Sequence, residues 1–436
     1  MLTYLDRLAR EYVDLTLTKQ QCCDTWDVYW LADTPFWKRT DPMVSRETPV
    51  YPYKPSPKMP EMTLFEILRS VQMLYEKLQA LEGTLEGNDA IRLRFLTEHT
   101  RSLMVRTKLL YGDRPSYNSY TADMFGLTAP EWNEEDYRLA KAELTAVLPG
   151  EGDFMQRIRA YREALRIPTE KLPTAMNAAA RFFHDAGVKY MGIKDSNMPR
   201  LRYRKIPGDR LFITVLYGYD YDEITLEQNF NINSPYYLDN LREIAAHELE
   251  PGHFTFMSLR TKGMVDTSYP ELGLNSHGPS GAFIEGGARI AMELTLDTPE
   301  KERAFDEEMF DLCGADKALI DGLAAWRRFE HVCDYAKLEI ERKLWDGIWT
   351  KEQAAEFARA HCILTDDEPN EALERFFHDE GHYTSHSYCT DVVRNYYNKK
   401  FSSVEERWAA YTRLCQYPFV MAEIEAGTFD PFEFVI

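Results

Sequence analysis

The sequence predicts a mainly α-helical fold with one small β element. Three observations carry that expectation. Apolar residues recur at helical spacing through most of the chain, a capping box opens a helix at Thr350, and Leu211–Tyr219 is the one stretch that reads well as a strand.

The first helix candidate is Thr3–Gln21, where Leu5, Leu8, Ala9, Tyr12, Val13 and Leu17 share a face. Prolines at 49, 52, 55, 57 and 60 then forbid a helix and predict a connector that wraps the surface. Thr63–Gly83 is helical again, with Leu64, Ile67, Leu68, Val71, Leu74 and Leu78 on one side. Ala90–Leu110 and Glu134–Val147 are further helices, and Asp153–Gly187 supplies one or two more. Leu211–Tyr219 is β-branched and aromatic, bounded by Gly208 and Asp220. Glu302–Trp349 is long and rich in helix formers, and Thr350 with Gln353 starts the next helix. The total is about a dozen or more helices with no solenoid period. One local echo, Arg181-Phe182-Phe183-His184-Asp185 against Arg375-Phe376-Phe377-His378-Asp379, has nothing similar around it and reads as chance.

With 436 residues the chain suits one large or two ordinary domains. It reads as a single helical domain over 1–436, divided into lobes 1–205 and 206–436. Hydrophobic residues at 44% and charged residues at 28% give a folded chain with a sizeable core, not a disordered one. Aromatics reach 13%, with 26 Tyr, which serve cores and binding clefts alike. A net charge of -20 repels phosphate backbones and excludes nucleic acid as a general partner. The local basic stretch Arg200, Arg202, Arg204 and Lys205 is either a solvated surface segment or a clamp for an anionic group.

Asp6 and Arg7 interrupt the N-terminus before any signal-like apolar run, and no apolar run is long enough to span a membrane. The seven cysteines are odd in number, scattered and without a CxxC pair. Reduced thiols, a cytoplasmic setting and no membrane partner are therefore expected. Oligomeric state is not legible.

The chemistry concentrates in His247-Glu248-Leu249-Glu250-Pro251-Gly252-His253. Zinc hydrolases often place two His on one helix with a Glu beside the first, because residues four apart share a helix face. Here position 251 is Pro and the second His is His253. On a straight helix six residues turn about 600°, so the second imidazole would face away. Pro251 cannot donate to the carbonyl of His247, and Gly252 opens backbone angles closed to other residues. A break at this step is expected to bring His253 round to a shared metal. Glu285, in Phe283-Ile284-Glu285-Gly286-Gly287-Ala288, follows about 30 residues later and completes a two-His-one-Glu set.

These residues resemble a known family. His247–His253 is similar to the HExxPGH signature of the bacterial domain-of-unknown-function family 885, and Phe283–Ala288 is similar to its second motif, F-x-EGWA. A weaker likeness covers Trp349–Ala354 and Arg375–Tyr388, so the resemblance spans the chain from Leu211 onward. That family is helical and related to the gluzincin zinc metallopeptidases. The resemblance implies a gluzincin-like metallohydrolase domain, with His247, His253 and Glu285 as ligands and Glu248 as base. The chain departs at Phe254, Gly287 and Met292, where the family has His, Trp and Glu, and at Glu341 and Trp345, where it has Asp and His. The departures imply a reshaped pocket. Strand 211–219 is either an edge that pairs an extended substrate beside the metal helix or an ordinary core hairpin.

His378–Tyr388 holds three of the ten His in a short span. His382, Tyr383, His386 and Tyr388 are candidates to stabilise a tetrahedral oxyanion. A second metal site and structural hydrogen bonding are the other readings of this cluster.

The function expected is a zinc-dependent hydrolase that cleaves an amide bond in a small peptide or amide-containing metabolite. Glu248 would activate a zinc-bound water, and another divalent transition metal is an alternative. A biosynthetic enzyme using iron or manganese on a small metabolite and a non-catalytic binding protein on the same scaffold are the rivals. Oxygen dependence separates the first, and a Glu248→Gln variant that keeps every cellular effect marks the second.

Overall fold

The computed structural model describes residues 2–23, 28–30, 56, 58–207, 211–220, 223–363 and 381–436, with backbone alone at 28–30, 213–220, 223–226 and 275–276. The apolar periodicity sets the early helices. Helix α1 (Tyr4–Cys23) buries Leu5, Leu8, Ala9, Tyr12 and Val13. Helix α2 (Leu64–Gln79) buries Ile67, Val71, Leu74 and Leu78, and a capping box between Thr63 and Glu66 starts it. Helices α3 (Gly87–Leu110), α4 (Tyr117–Phe125), α5 (Glu134–Val147), α6 (Phe154–Ala164) and α7 (Leu172–Met191) follow.

Among the described residues, two small sheets replace the single strand expected. Strand β1 (Val28–Trp30) pairs antiparallel with β5 (Leu274–Ser276). The other sheet holds β2 (Arg200–Arg204), β3 (Phe212–Asp220) and β4 (Glu223–Asn231) in the order β2-β4-β3. β2 runs parallel to β4, and β3 antiparallel with a bulge between Leu216 and Gly218. The basic stretch is thus a strand: Arg200, Arg202 and Arg204 are exposed while Leu201 and Tyr203 are half-buried. Its period of two was hidden by its charge. β4 was missed because it buries polar side chains on both of its faces: Gln228 and Asn229 are fully buried.

After the sheet come α8 (Leu241–Glu243), a π-helical turn (Ile244–Leu249) and α9 (His253–Thr267). Helices α10 (Pro279–Thr295), α11 (Pro299–Cys313), α12 (Ile320–Trp345) and α13 (Lys351–His361) complete the middle of the chain. A second π-helical turn (Thr384–Tyr388) leads into α14 (Cys389–Lys400), α15 (Val404–Gln416) and α16 (Met421–Ala426). The long segment 302–349 is two helices because Gly314 ends α11 with a left-handed cap, φ 71°. The capping box of Thr350 and Gln353 is present. Most of the proline connector lies outside the described residues, as do Arg375–Glu380 of the local echo and His378 among them.

The fold is mainly α, and α10 is its axis. It buries residues on every side, from Ala282 and Phe283 to Ala291 and Leu294, as a core helix does. One apolar cluster gathers α3, α4, α9, α10, α14 and α15 around Phe283, Trp408 and Phe419. A second joins α5, α6, α7, α11 and α12 around Phe183, Phe305 and Trp326. Among the described residues no helix is long and apolar enough to cross a membrane.

Candidate metal centre

The chain bends where Pro251 and Gly252 stand. The π-helical turn carries His247 and ends at Glu250, whose backbone is extended at φ -121°, ψ 138°. The Glu250–Pro251 peptide is cis. Gly252 N–H then donates to Ala246 O at 2.9 Å. A Cβ on residue 252 would lie 2.2 Å from His247 O and 2.4 Å from Ala246 O, so this close approach requires glycine. His253 opens α9 on the far side of the bend. The two imidazoles that a straight helix would hold apart lie with ring centres 4.4 Å from one another. Such π-helical turns recur at functional sites.

Glu285, on α10, points between them. His247 Nε2 is 3.1 Å and His253 Nε2 3.6 Å from Glu285 Oε2. One ligand atom from each of His247, His253 and Glu285 fits within 4.8 Å of the others. Ligands about 2.0–2.1 Å from a tetrahedral ion stand about 3.3 Å apart, so the two distances bracket the spacing zinc needs. Burial pushes the Glu285 carboxyl up, but His253 and His386 outweigh it and hold it well below the usual carboxylate range. Burial pushes the His253 imidazole down, which favours the neutral, ligating form. Among the described residues, His247 Nδ1 and His253 Nδ1 are buried with no hydrogen-bond partner. The bend and Glu285 therefore orient these rings, in place of the outer hydrogen bond that usually does so.

Glu248 follows His247 on the same turn, with Oε1 3.9 Å from His247 Nε2. It is partly exposed, and burial of its carboxyl raises its pKa.

Of the C-terminal candidates, the structure brings His386 to the cluster. Its Nε2 lies 2.8 Å from Glu285 Oε2. Its Nδ1 donates to His382 O at 2.9 Å, so Nε2 is the nitrogen left for the site. Gly286 makes the approach possible, since a Cβ there would meet Cys389 at 2.8 Å. His382 packs against His386 with ring centres 3.8 Å apart and planes tilted by 31°, and burial lowers its pKa to about 3. Tyr383 turns its ring toward Lys337, 5.3 Å away. The Tyr388 hydroxyl donates to Glu425 Oε1 at 2.7 Å.

Charged residues one layer out went unread in the sequence. Arg289 Nε donates to Glu243 Oε1 at 2.8 Å, and its Nη1 lies 3.5 Å from Asp334 Oδ2. Asp334 also accepts from Ser387 Oγ and Lys337 Nζ, both at 3.0 Å. This chain ties α8, α10, α12 and the turn of His386 together. Arg289 was legible as the residue one turn beyond Glu285, but nothing in the sequence links Asp334 to it. At the positions where the sequence departs from the HExxPGH pattern, Glu341 accepts from the Tyr117 hydroxyl at 2.8 Å and Trp345 stacks on Tyr120 at 4.4 Å.

No protein-family model matches the chain, and no curated protein matches it. Among solved structures it is similar to "the putative lipoprotein from Colwellia psychrerythraea", with 12% identity over 83% of this chain and 66% of that one, TM-score 0.48. It is also similar to "a putative lipoprotein of unknown function from Shewanella oneidensis", with 13% identity over 83% of this chain and 72% of that one, TM-score 0.45. The chain thus spans just under two thirds of the length of the Colwellia protein.

Proposed function

We propose that the protein is a zinc-dependent hydrolase, a divergent relative of the HExxPGH proteins of family 885, that cleaves an amide bond in a peptide or peptide-like small molecule. The observation that carries this proposal is the meeting of His247, His253 and Glu285 within 4.8 Å, with Glu248 beside them.

Two imidazoles and one carboxylate are the donors of a catalytic zinc site that keeps a position open. A zinc ion held by these residues supplies a Lewis acid for the scissile carbonyl and acidifies water at neutral pH. Glu248 accepts the proton of the attacking water and returns it to the leaving nitrogen, and its raised pKa suits both steps. His386, as the imidazolium that the Glu285 carboxylate favours, keeps Nδ1–H on His382 O, presents Nε2–H to the same space and donates to the oxyanion. The outer edge of β3 pairs with no described strand and offers backbone groups to an extended substrate.

The same donors also suit iron(II) in oxygen-dependent enzymes, which is the second reading. Metal analysis of purified protein, with amide hydrolysis followed under air and under nitrogen, tests both. The hydrolase proposal expects one zinc per chain and turnover independent of oxygen. Stoichiometric iron with activity only in air would replace it with the second reading, and a chain that takes up no metal would end both.

A further inference from the structure

The elements that build the metal cluster also wall a second cavity, of about 330 Å³. Glu243, Arg289 and Thr390 line it. Each stands four residues from a residue of the cluster: 243 before His247, 289 after Glu285, 390 after His386. Four residues of helix rise about 6 Å, so the cavity lies one turn from the metal centre along three separate elements.

The arginines of its wall are already engaged. Arg289 is held by Glu243 and Asp334, Arg394 by both oxygens of Glu293, Arg327 by both oxygens of Asp306, Arg328 by Glu143 at 2.8 Å and Arg242 by Glu302 at 3.5 Å. The acids are left over. Asp239 and Glu330 line the cavity, and among the described residues neither has a basic side chain within ion-pair distance. Asp239 is 6% exposed; its Oδ2 accepts from Trp326 Nε1 at 2.9 Å, while Oδ1 is buried and, among the described residues, accepts from no other residue. Asn240 lines the same space, and among the described residues its Oδ1 is buried without a partner. Arg162, whose charge acts on both acids, lies outside the lining and sits over the Tyr237 ring at 5.0 Å.

Buried acceptors without donors are costly, and two of them on residues that line one cavity, beside the unpaired Glu330 carboxyl, call for a ligand rich in N–H groups. Burial pushes both carboxyls up, and the charge of Asp239 pushes Glu330 further, so a bound cation would take the place of a proton. Met292 and the arginine stems supply apolar wall for a methylene chain.

We propose that this cavity is a subsite for an ammonium or guanidinium group, held by Asp239, Asn240 and Glu330. It rests on the hydrolase proposal only in making that group part of the substrate, an amide that carries a basic side chain or a free amine.

Isothermal titration of the full-length, zinc-loaded protein with n-butylammonium, butylguanidinium and the neutral isostere n-butanol tests it. Saturable binding of at least one cation is expected, with affinity at least tenfold lower in Glu330→Gln and in Asp239→Asn and no saturation by n-butanol. No saturation by either cation, equal binding by Glu330→Gln, or equal binding of n-butanol overturns it. If Asp239→Asn fails to fold for want of its bond to Trp326, Glu330→Gln decides alone. Binding is read without turnover, so a protein that binds butylammonium but cleaves no amide refutes the hydrolase and leaves the subsite standing. With turnover present, a lysine amide is favoured over its norleucine analogue at least tenfold in kcat/KM, and Glu330→Gln abolishes the preference.

Discussion

His184 and Glu250 form a buried ion pair: Nδ1 of His184 on α7 meets the carboxylate of Glu250, and the two side chains are 0% and 1% exposed. Glu250 is the second variable position of the HExxPGH-like segment and lies in the bend between the two imidazoles. The pair therefore pins that bend to a helix from the first half of the chain. Burial works against a charged His184, but Glu250 outweighs it and raises the His184 pKa. Removing one partner strands the other in the core, at a cost of about 3–5 kcal/mol. His184→Ala is expected to lower the urea midpoint accordingly and to weaken zinc binding with it. The double variant His184→Ala, Glu250→Ala should be less destabilised than the sum of the singles. Additive losses, or unchanged zinc affinity in a folded His184→Ala, would show that the pair does not hold the bend.

Metal removal should separate the ligands from the base. Zinc that binds only the native state stabilises it by about 4 kcal/mol at a thousandfold excess over Kd. A chelator is expected to lower Tm and zinc to restore it. His253→Ala and Glu285→Ala should melt at the chelated temperature whether or not zinc is added. Glu248→Gln should respond to zinc as the unmodified protein does yet lose turnover. Differential scanning calorimetry with paired activity assays checks this, and a zinc response in Glu285→Ala would remove that carboxylate from the ligand set.

Among the C-terminal candidates the geometry ranks the residues. His386 Nε2 reaches the Glu285 carboxylate at 2.8 Å, whereas the Tyr388 hydroxyl is spent on Glu425. His386→Gln should lower kcat by about 10²–10³-fold with little change in KM, as loss of an oxyanion donor does. Tyr388→Phe should leave kcat unchanged and cost about 1.5–3 kcal/mol of stability, the value of a hydrogen bond to a charged acceptor. Steady-state kinetics on the two variants decide the ranking. A large kcat loss in Tyr388→Phe would reverse it.

The helical character was readable because a 3.6-residue apolar period needs no tertiary information, and α2 and α5 fall where that period puts them. β4 was not readable because Gln228 and Asn229 occupy its buried positions, and burial of polar side chains depends on partners brought from elsewhere. At the site, the segment 247–253 advertised both the imidazoles and the bend, since Pro and Gly act locally. Glu285 was found by its glycine neighbours, and Gly286 proves to be what lets Cys389 and the turn of His386 come near. His184 and Asp334 gave no local signal. Their parts are set wholly by which helices pack together, and His184 was even read as one half of a chance echo.

The stability of the core helix α10 should carry a pH signature from His99 on α3. His99 Nδ1–H donates to Phe95 O at 2.9 Å, and Nε2 accepts from Ser280 Oγ, in the first turn of α10, at 2.8 Å. The Nε2 bond needs the neutral ring, and burial pushes its pKa down from 6.5 to about 3. Above pH 6.5 neither state protonates it and stability does not depend on it. Between pH 6.5 and about 3 the unfolded chain binds a proton that the native state refuses, so stability falls as pH falls, by at most about 1.4 kcal/mol per unit. The neighbouring Glu98 slopes the other way. Its carboxyl accepts from Met421 N at 2.9 Å and Ala422 N at 3.0 Å, and burial pushes its pKa up from 4.5 to about 7. Between 4.5 and 7 the native state holds a proton that the unfolded chain has released, so its contribution is full below 4.5 and fades as pH rises. The two slopes oppose each other between pH 4.5 and 6.5 and mask one another in the intact protein. His99→Gln keeps a donor and an acceptor but cannot titrate. Its stability relative to the unmodified protein should be constant above pH 6.5 and should rise steadily as the pH is lowered to 4.5. Urea unfolding at pH 7.5, 6.5, 5.5 and 4.5 measures that difference, and a value that stays level across all four would mean that His99 is not held neutral in the core.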